Sequence, residues 1–174
     1  MANPSTIKAK VEEPVVEEVM GGCSLKCAFD WTAQIIVPGG RTENTRKLND
    51  DSALTAWLAE DPKVGVGVKL RILLPKARKT AETETPLYGL DLVNGYWKAE
   101  DLWPKYARVK RARLYYNDKP FRDLAFVDSR RWQRVSFPDI FVQPGDTLTF
   151  EVLEVFPGKG AGLAISEVVL QGAH

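Results

Sequence analysis

Cys23 and Cys27 sit in the run C-S-L-K-C, and a single histidine, His174, closes the chain. That short inventory excludes most side-chain chemistry. The cysteine spacing is not the C-x-x-C of thiol oxidoreductases or zinc knuckles, and it fits a local disulfide or two free thiols. A tetrahedral zinc site finds too few ligands. Without an internal histidine, neither a Ser-His-Asp triad nor a Cys-His pair can be assembled. Gly65-Val66-Gly67 lacks the third glycine of a dinucleotide loop, and Gly158-Lys159-Gly160 lacks the Walker pattern, so both read as turns or strand adjustments. A glycosidic pair needs two carboxyl groups about 5–9.5 Å apart. Its members would have to come from Asp50, Asp51, Asp91, Asp101, Asp128 and Glu167, no more acids than a generic surface carries.

The second concentration of chemistry is basic and aromatic. Between Trp103 and Arg134 stand ten Lys and Arg residues against three acids, Asp118, Asp123 and Asp128. Trp103, Tyr106, Tyr115, Tyr116 and Trp132 interleave with them. Two readings stand side by side. Alternate strand residues give a solubilising face of Arg and Lys with rings turned inward. Alternatively, planar Arg groups and flat rings form a site for an anionic ligand or a sugar. Single-stranded nucleic acid uses the same residue types, but a net charge of +1 over the whole chain argues against it.

The elements that must position these residues are strands. A chain of 174 residues, 44% hydrophobic and 27% charged, has the size and composition of one soluble domain. No apolar run reaches membrane-spanning length. No apolar leader opens the chain, although a signal peptide or lipid anchor lost in maturation would leave no trace here. Residues 1–22 mix Pro, Glu, Lys and Val without a period and read as a flexible lead-in or tether. From Cys23 the texture changes. Strands are expected over Ala28–Val37, Val64–Leu74, Leu87–Asn94, Val109–Tyr116, Phe121–Val127, Trp132–Phe137, Thr147–Phe156 and Ala164–Gly172. A short helical turn is expected around Ser52–Glu60, and Lys76–Pro86 reads as a loop. Turn formers at short intervals, among them Gln143-Pro144-Gly145-Asp146, and the absence of a βαβ rhythm indicate an all-β sandwich or barrel.

Four pieces in order carry a family resemblance: Cys23–Cys27; L-N-D-D-S-A-L-T-A-W at Leu48–Trp57 followed by Gly65 and Gly67; N-G-Y-W-K at Asn94–Lys98 followed by Arg108-Val109-Lys110; and Phe156–Gly172. The chain resembles the discoidin-like, galactose-binding-like glycan-binding domain found beside bacterial NAD glycohydrolases and in bacterial surface proteins and lipoproteins. The resemblance covers residues 23–172 and implies a jelly-roll β-sandwich without catalytic residues, a glycan or cell-surface polysaccharide as partner, and an exported location. It implies an oxidised Cys23–Cys27 pair and no required cofactor. A structural Ca²⁺ would take side-chain oxygens from Asp50, Thr55 and Glu167. Trp57 and Tyr96 read as structural. Trp97, Trp103, Tyr106 and Trp132 lie nearer loops and are the candidate exposed rings; with Arg108 and Arg131 they form the expected ligand set, and the basic surplus suggests an acidic glycan. The rival functions are a structural or protein-interaction domain at the cell envelope and a glycan- or NAD-directed hydrolase. One departure concerns the turn where the family places aspartate-glycine, which reads Asp50-Asp51 here.

Overall fold

Alternating side chains that are apolar on one face only must be covered by a second layer, and two sheets cover each other here. The computed structural model describes residues 3–11, 31–74 and 84–172. Among these residues the strands are β1 (Thr6–Lys8), β2 (Lys10–Val11), β3 (Ala33–Val37), β4 (Arg41–Thr45), β5 (Trp57–Leu58), β6 (Lys69–Leu73), β7 (Thr85–Asn94), β8 (Arg108–Tyr116), β9 (Lys119–Ala125), β10 (Gln133–Val142), β11 (Thr147–Phe156) and β12 (Ala164–Gly172). One sheet has the order β1-β9-β8-β11-β6-β3-β4 and the other β2-β10-β7-β12-β5. The result is a galactose-binding-like jelly-roll sandwich.

Register builds the core in rows. Ile35, Leu70, Phe150 and Leu114 lie opposite one another across four strands of the larger sheet. Val135, Leu90 and Leu170 form the facing row of the smaller one. All seven are buried in one continuous cluster, each contributing roughly 1.5–3 kcal/mol by leaving water. Trp57 belongs to the same cluster, as expected, and its indole N–H donates to Glu43.

The expected strands Thr147–Phe156 and Ala164–Gly172 form with those bounds. Three expectations are corrected. Residues 6–11 are not merely a lead-in: β1 pairs in parallel with β9, and β2 pairs with β10, so this segment covers an edge of each sheet. The helical turn around Ser52–Glu60 does not form. Asp50 Oδ1 accepts from the Ser52 amide at 3.1 Å, an Asx turn that diverts the chain into β5. Val64–Leu74 is strand only over β6, because Gly67 has φ +87° and breaks the pleat. Cys23 and Cys27 lie outside the described residues, as does most of the Lys76–Pro86 loop; Pro86 itself is in β7.

At the end of the sandwich where β8 turns into β9, Asp146 is buried beneath Tyr116 and Asn117. Its carboxylate accepts from the Tyr116 hydroxyl at 2.6 Å, the Asn117 amide at 3.0 Å and the Gln143 backbone N–H at 2.9 Å. Burial alone would raise the Asp146 carboxyl, but these three donors hold it below its ordinary value. Burial and the same carboxylate push the Tyr116 phenol up to about 12.

Candidate functional site

The opposite end is closed by loops 46–56, 95–107 and 126–132, and Asn94 organises it. Its side chain donates to the Val109 carbonyl at 2.7 Å and accepts from the Val109 N–H at 2.8 Å, replacing a missing strand partner. Its backbone carbonyl accepts from both indoles, Trp97 at 2.8 Å and Trp103 at 3.3 Å. Gly95 follows with φ +82°. A Cβ there would lie 2.8 Å from Trp103 Nε1 and 2.9 Å from Arg108 Cγ, so the turn requires glycine for its backbone and for space. Ser166 Oγ donates to the Gly95 carbonyl at 2.7 Å, tying the turn to β12.

The cations lie over these rings. The Arg108 guanidinium stands 4.3 Å from the Trp103 ring centroid and clamps Asp128 with two hydrogen bonds, at 2.9 and 3.1 Å. A third, at 2.8 Å, goes to the Tyr106 carbonyl. Arg130 donates to the Trp97 carbonyl at 2.7 Å and stands 5.5 Å from that ring's centroid. Beneath it Trp97 packs with Ala53, Val93 and Trp132. The Tyr106 hydroxyl donates to Glu60 at 2.6 Å; burial, then the Glu60 carboxylate, pushes its pKa up to about 12.

The expectation of exposed rings is therefore corrected at three positions. Trp97, Tyr106 and Trp132 are buried, Trp97 completely, and only Trp103 is half-buried. Loop position does not imply exposure here, because large rings folded back onto the strand ends cover the core where the sheets diverge. Tyr96, read as structural, is half-buried and meets Tyr106 edge-on at 5.6 Å. Arg108 is buried, and Arg131 is half-buried on the 126–132 loop. The site thus brings Trp97, Trp103, Arg108, Arg130 and Trp132 together, with Asp128, half-exposed at 40% of its side chain, on the rim.

Of the ten cations in the basic window, Arg108, Lys110, Arg111, Arg113 and Arg134 stand in ion pairs. Asp123 and Asp128 lie within the same window, and Glu154 and Asp91 come from strands outside it. Arg113 sits between Asp123 and Glu151 in register and clamps Asp123 at 2.7 and 3.1 Å. Arg111 bridges Glu154 at 2.9 Å and Asp123 at 3.4 Å, and Lys110 lies 3.8 Å from Glu154. Arg134 clamps Asp91, which is 1% exposed. Glu154 and Asp91, from outside the window, reduce its basic surplus without cancelling it. Asp91 and Asp128 also fit poorly as hydrolytic carboxylates, since an arginine occupies both oxygens of each.

The third group is Asp50, Thr55 and Glu167. The Thr55 hydroxyl donates to Asp50 Oδ2 at 2.5 Å. The Val168 amide donates to the Leu48 carbonyl at 2.9 Å, which sets Glu167, 1% exposed, beside the same loop. Asp51 has φ +63°, the left-handed conformation that a glycine would adopt without cost. Two carboxylates, a hydroxyl and loop carbonyls at one junction are the hard oxygen donors that Ca²⁺ takes. Among the described residues no three His, Cys, Asp or Glu side chains gather as a metal cluster, so backbone oxygens would have to complete the set.

Residues 26–171 match the family described as the NAD glycohydrolase translocation F5/8 type C domain. The chain belongs to that family. No curated protein matches it. Among solved structures this F5/8 type C domain is similar to the CBM32-1 and CBM32-2 domains of Clostridium perfringens ZmpB in complex with GalNAc. The TM-score is 0.59 at 9% identity, over 100% of this chain and 41% of that one. It is similar as well to a ZmpB structure holding CBM32-1, CBM32-2 and the M60 catalytic domains, with TM-score 0.58 and 8% identity over 99% and 17% of the two chains. The chain thus spans less than half the length of the solved chains it resembles, and at these identities the likeness is one of fold.

The family's N-G-Y-W-K piece proves to be the hub of the loop end, through Asn94, Gly95 and Trp97. Sequence reasoning missed Asn94, Ala53 and Arg130 as parts of the site. Asn94 carried the one usable signal, a polar residue ending an apolar strand just before glycine.

Proposed function

We propose that this F5/8 type C domain is a non-catalytic carbohydrate-binding module of an exported protein. Family membership, with a fold shared with CBM32 domains seen in complex with GalNAc, supports the reading. The ligand is held at the loop end, at the rim where the Arg108–Asp128 clamp meets the half-buried Trp103, with Arg131 on the adjoining 126–132 loop. A fixed guanidinium–carboxylate pair offers donors and acceptors to neighbouring sugar hydroxyls, while an indole edge meets C–H groups. Because the Arg108 guanidinium is already committed to the Asp128 carboxylate, a neutral sugar fits this rim better than an acidic one. Asp128→Asn keeps the shape and removes the charge; it is expected to weaken binding by about tenfold, roughly 1.4 kcal/mol. Calorimetric titration with galactose and GalNAc reads this, and equal affinities for the two proteins would place the ligand elsewhere.

Two further proposals accompany this reading. Asp50, Thr55 and Glu167 hold a structural Ca²⁺ that ties loop 46–56 to β12. Adding millimolar Ca²⁺ to EDTA-treated protein is then expected to raise the melting temperature by several degrees. Glu167→Gln should abolish that rise, and an unchanged melting temperature in the unaltered protein removes the site. Outside the cytoplasm, Cys23 and Cys27 are expected to be oxidised. Thiol titration of denatured, unreduced protein should find no free thiol, and two reactive thiols would point to a reducing compartment.

A further inference from the structure

The outer face of the smaller sheet carries a second arrangement that the loop end does not use. Tyr88 and Phe141 are 37% and 59% exposed, unusual for rings on a regular sheet. Phe141 lies directly opposite Pro86, and Tyr88 is two residues further along β7. Leu87 and Ile140, their neighbours in sequence, point into the core, so both rings face outward side by side. Strand geometry sets such diagonal neighbours roughly 7–8 Å apart.

Both ladders that flank β7 lose register at this level. The pairing with β10 shifts between Ser136 and Ile140, and the pairing with β12 shifts between Gln171 and Gly172. Bulges on two sides of one strand re-aim side chains and are common beside binding sites. Next along β7 is Gly89, itself buried; a Cβ there would lie 2.7 Å from the Val135 carbonyl, and the exposed Ser136 stands opposite it on β10. Beyond it stands a fixed polar group. Asp91 is clamped by Arg134 at 2.8 and 2.9 Å and accepts from Gln171 Nε2 at 2.7 Å.

Rings on one side and, on the other, the half-exposed Arg134 guanidinium and the half-buried Gln171 amide, both oriented by the buried Asp91, match the amphipathic surface of a pyranose chain. Apolar C–H faces lie on the rings and hydroxyls reach the polar group. Asp91 offsets the charge of Arg134, and the exposed Lys10 stands beyond it on β2, opposite Arg134 in register. Two rings interleaved with polar groups are also far short of the roughly 1,000 Å² that a stable protein interface needs. We propose that this strip, from Phe141 and Tyr88 past the exposed Ser136 to Arg134 and Gln171, is a second carbohydrate-binding site for a neutral oligosaccharide of at least two pyranose units. It does not depend on the reading of the loop end.

The test is an amide NMR titration of the full chain with the tetrasaccharides of β1,4-linked glucose, N-acetylglucosamine and mannose, each at millimolar concentration, and with GalNAc. At least one tetrasaccharide is expected to shift the amides of Gly89, Ser136 and Gln171. Phe141→Ala, at an exposed position the core does not need, is expected to weaken that effect by about tenfold. Shifts confined to Gly95 and Asp128 would overturn the strip and leave the loop-end reading standing. Shifts confined to the strip would do the reverse. Silence at the strip with all four probes, or broadening there with protein concentration alone, which marks self-association, overturns the proposal.

Discussion

Replacing Gly162 by alanine is expected to lower the unfolding free energy by about 3 kcal/mol or more, at the upper end of what overpacking costs. The same change at Gly160 is expected to be neutral or slightly stabilising. The two glycines are separated by one residue, yet their surroundings differ completely. A Cβ at Gly162 would lie 2.3 Å from the Asp61 carbonyl, 2.7 Å from that of Val64 and 3.0 Å from that of Ala59. All three obstacles are backbone and cannot rotate away. Relief requires moving a segment held by the Gly162 N–H to Ala59 at 2.8 Å, the Leu163 N–H to Val64 at 2.8 Å and the Ala107 N–H to Gly162 at 2.8 Å. Those bonds join the ends of β5 and β8 to the start of β12, so the strain reaches both sheets. At Gly160 a Cβ meets nothing within 4 Å. Denaturant midpoints compare the two variants directly, and coincident midpoints would show that the close approach of these loops is wrong.

Trp97→Ala should cost about 3–5 kcal/mol, the range for truncating a large buried ring. Trp97 is wholly buried, packs on Ala53, Val93 and Trp132, and donates to the Asn94 carbonyl at 2.8 Å. Its removal leaves a cavity under Arg130 and frees Ala53, the contact that docks loop 46–56 on this end. The expected signature is a lowered denaturant midpoint with weakened near-ultraviolet circular dichroism. A variant of unaltered stability that had lost only sugar binding would mean that the ring is ligand surface instead of core.

These two residues also show where the sequence was legible. Thr147–Phe156 and Ala164–Gly172 could be bounded from sequence because turn formers bracket both strands. The strand β4 could not, since R-T-E-N-T is polar throughout and belongs to an edge that needs no apolar face. Residues 6–11 carry no period, and their pairing partners lie more than a hundred residues away, so nothing local records the pairing. Site residues follow the same logic. Trp103, Arg108 and Trp132 were found because rings and cations are conspicuous, but their burial depends on how three separate loops fold back. The pairing of Arg111 with Glu154 and of Arg134 with Asp91 was invisible because those acids stand outside the basic window.

The central claim is that the domain binds carbohydrate at its loop end and performs no chemistry on it. A glycan array probed with the full chain, with and without Ca²⁺, tests it most directly, provided that it holds neutral, sialylated and sulfated members and that bound glycans are recovered and weighed. Retention of a neutral set that includes terminal galactose or GalNAc is expected, with no gain from sialylation or sulfation and every bound glycan recovered intact. An array without a single retained glycan, or glycans recovered as cleaved products, would contradict it.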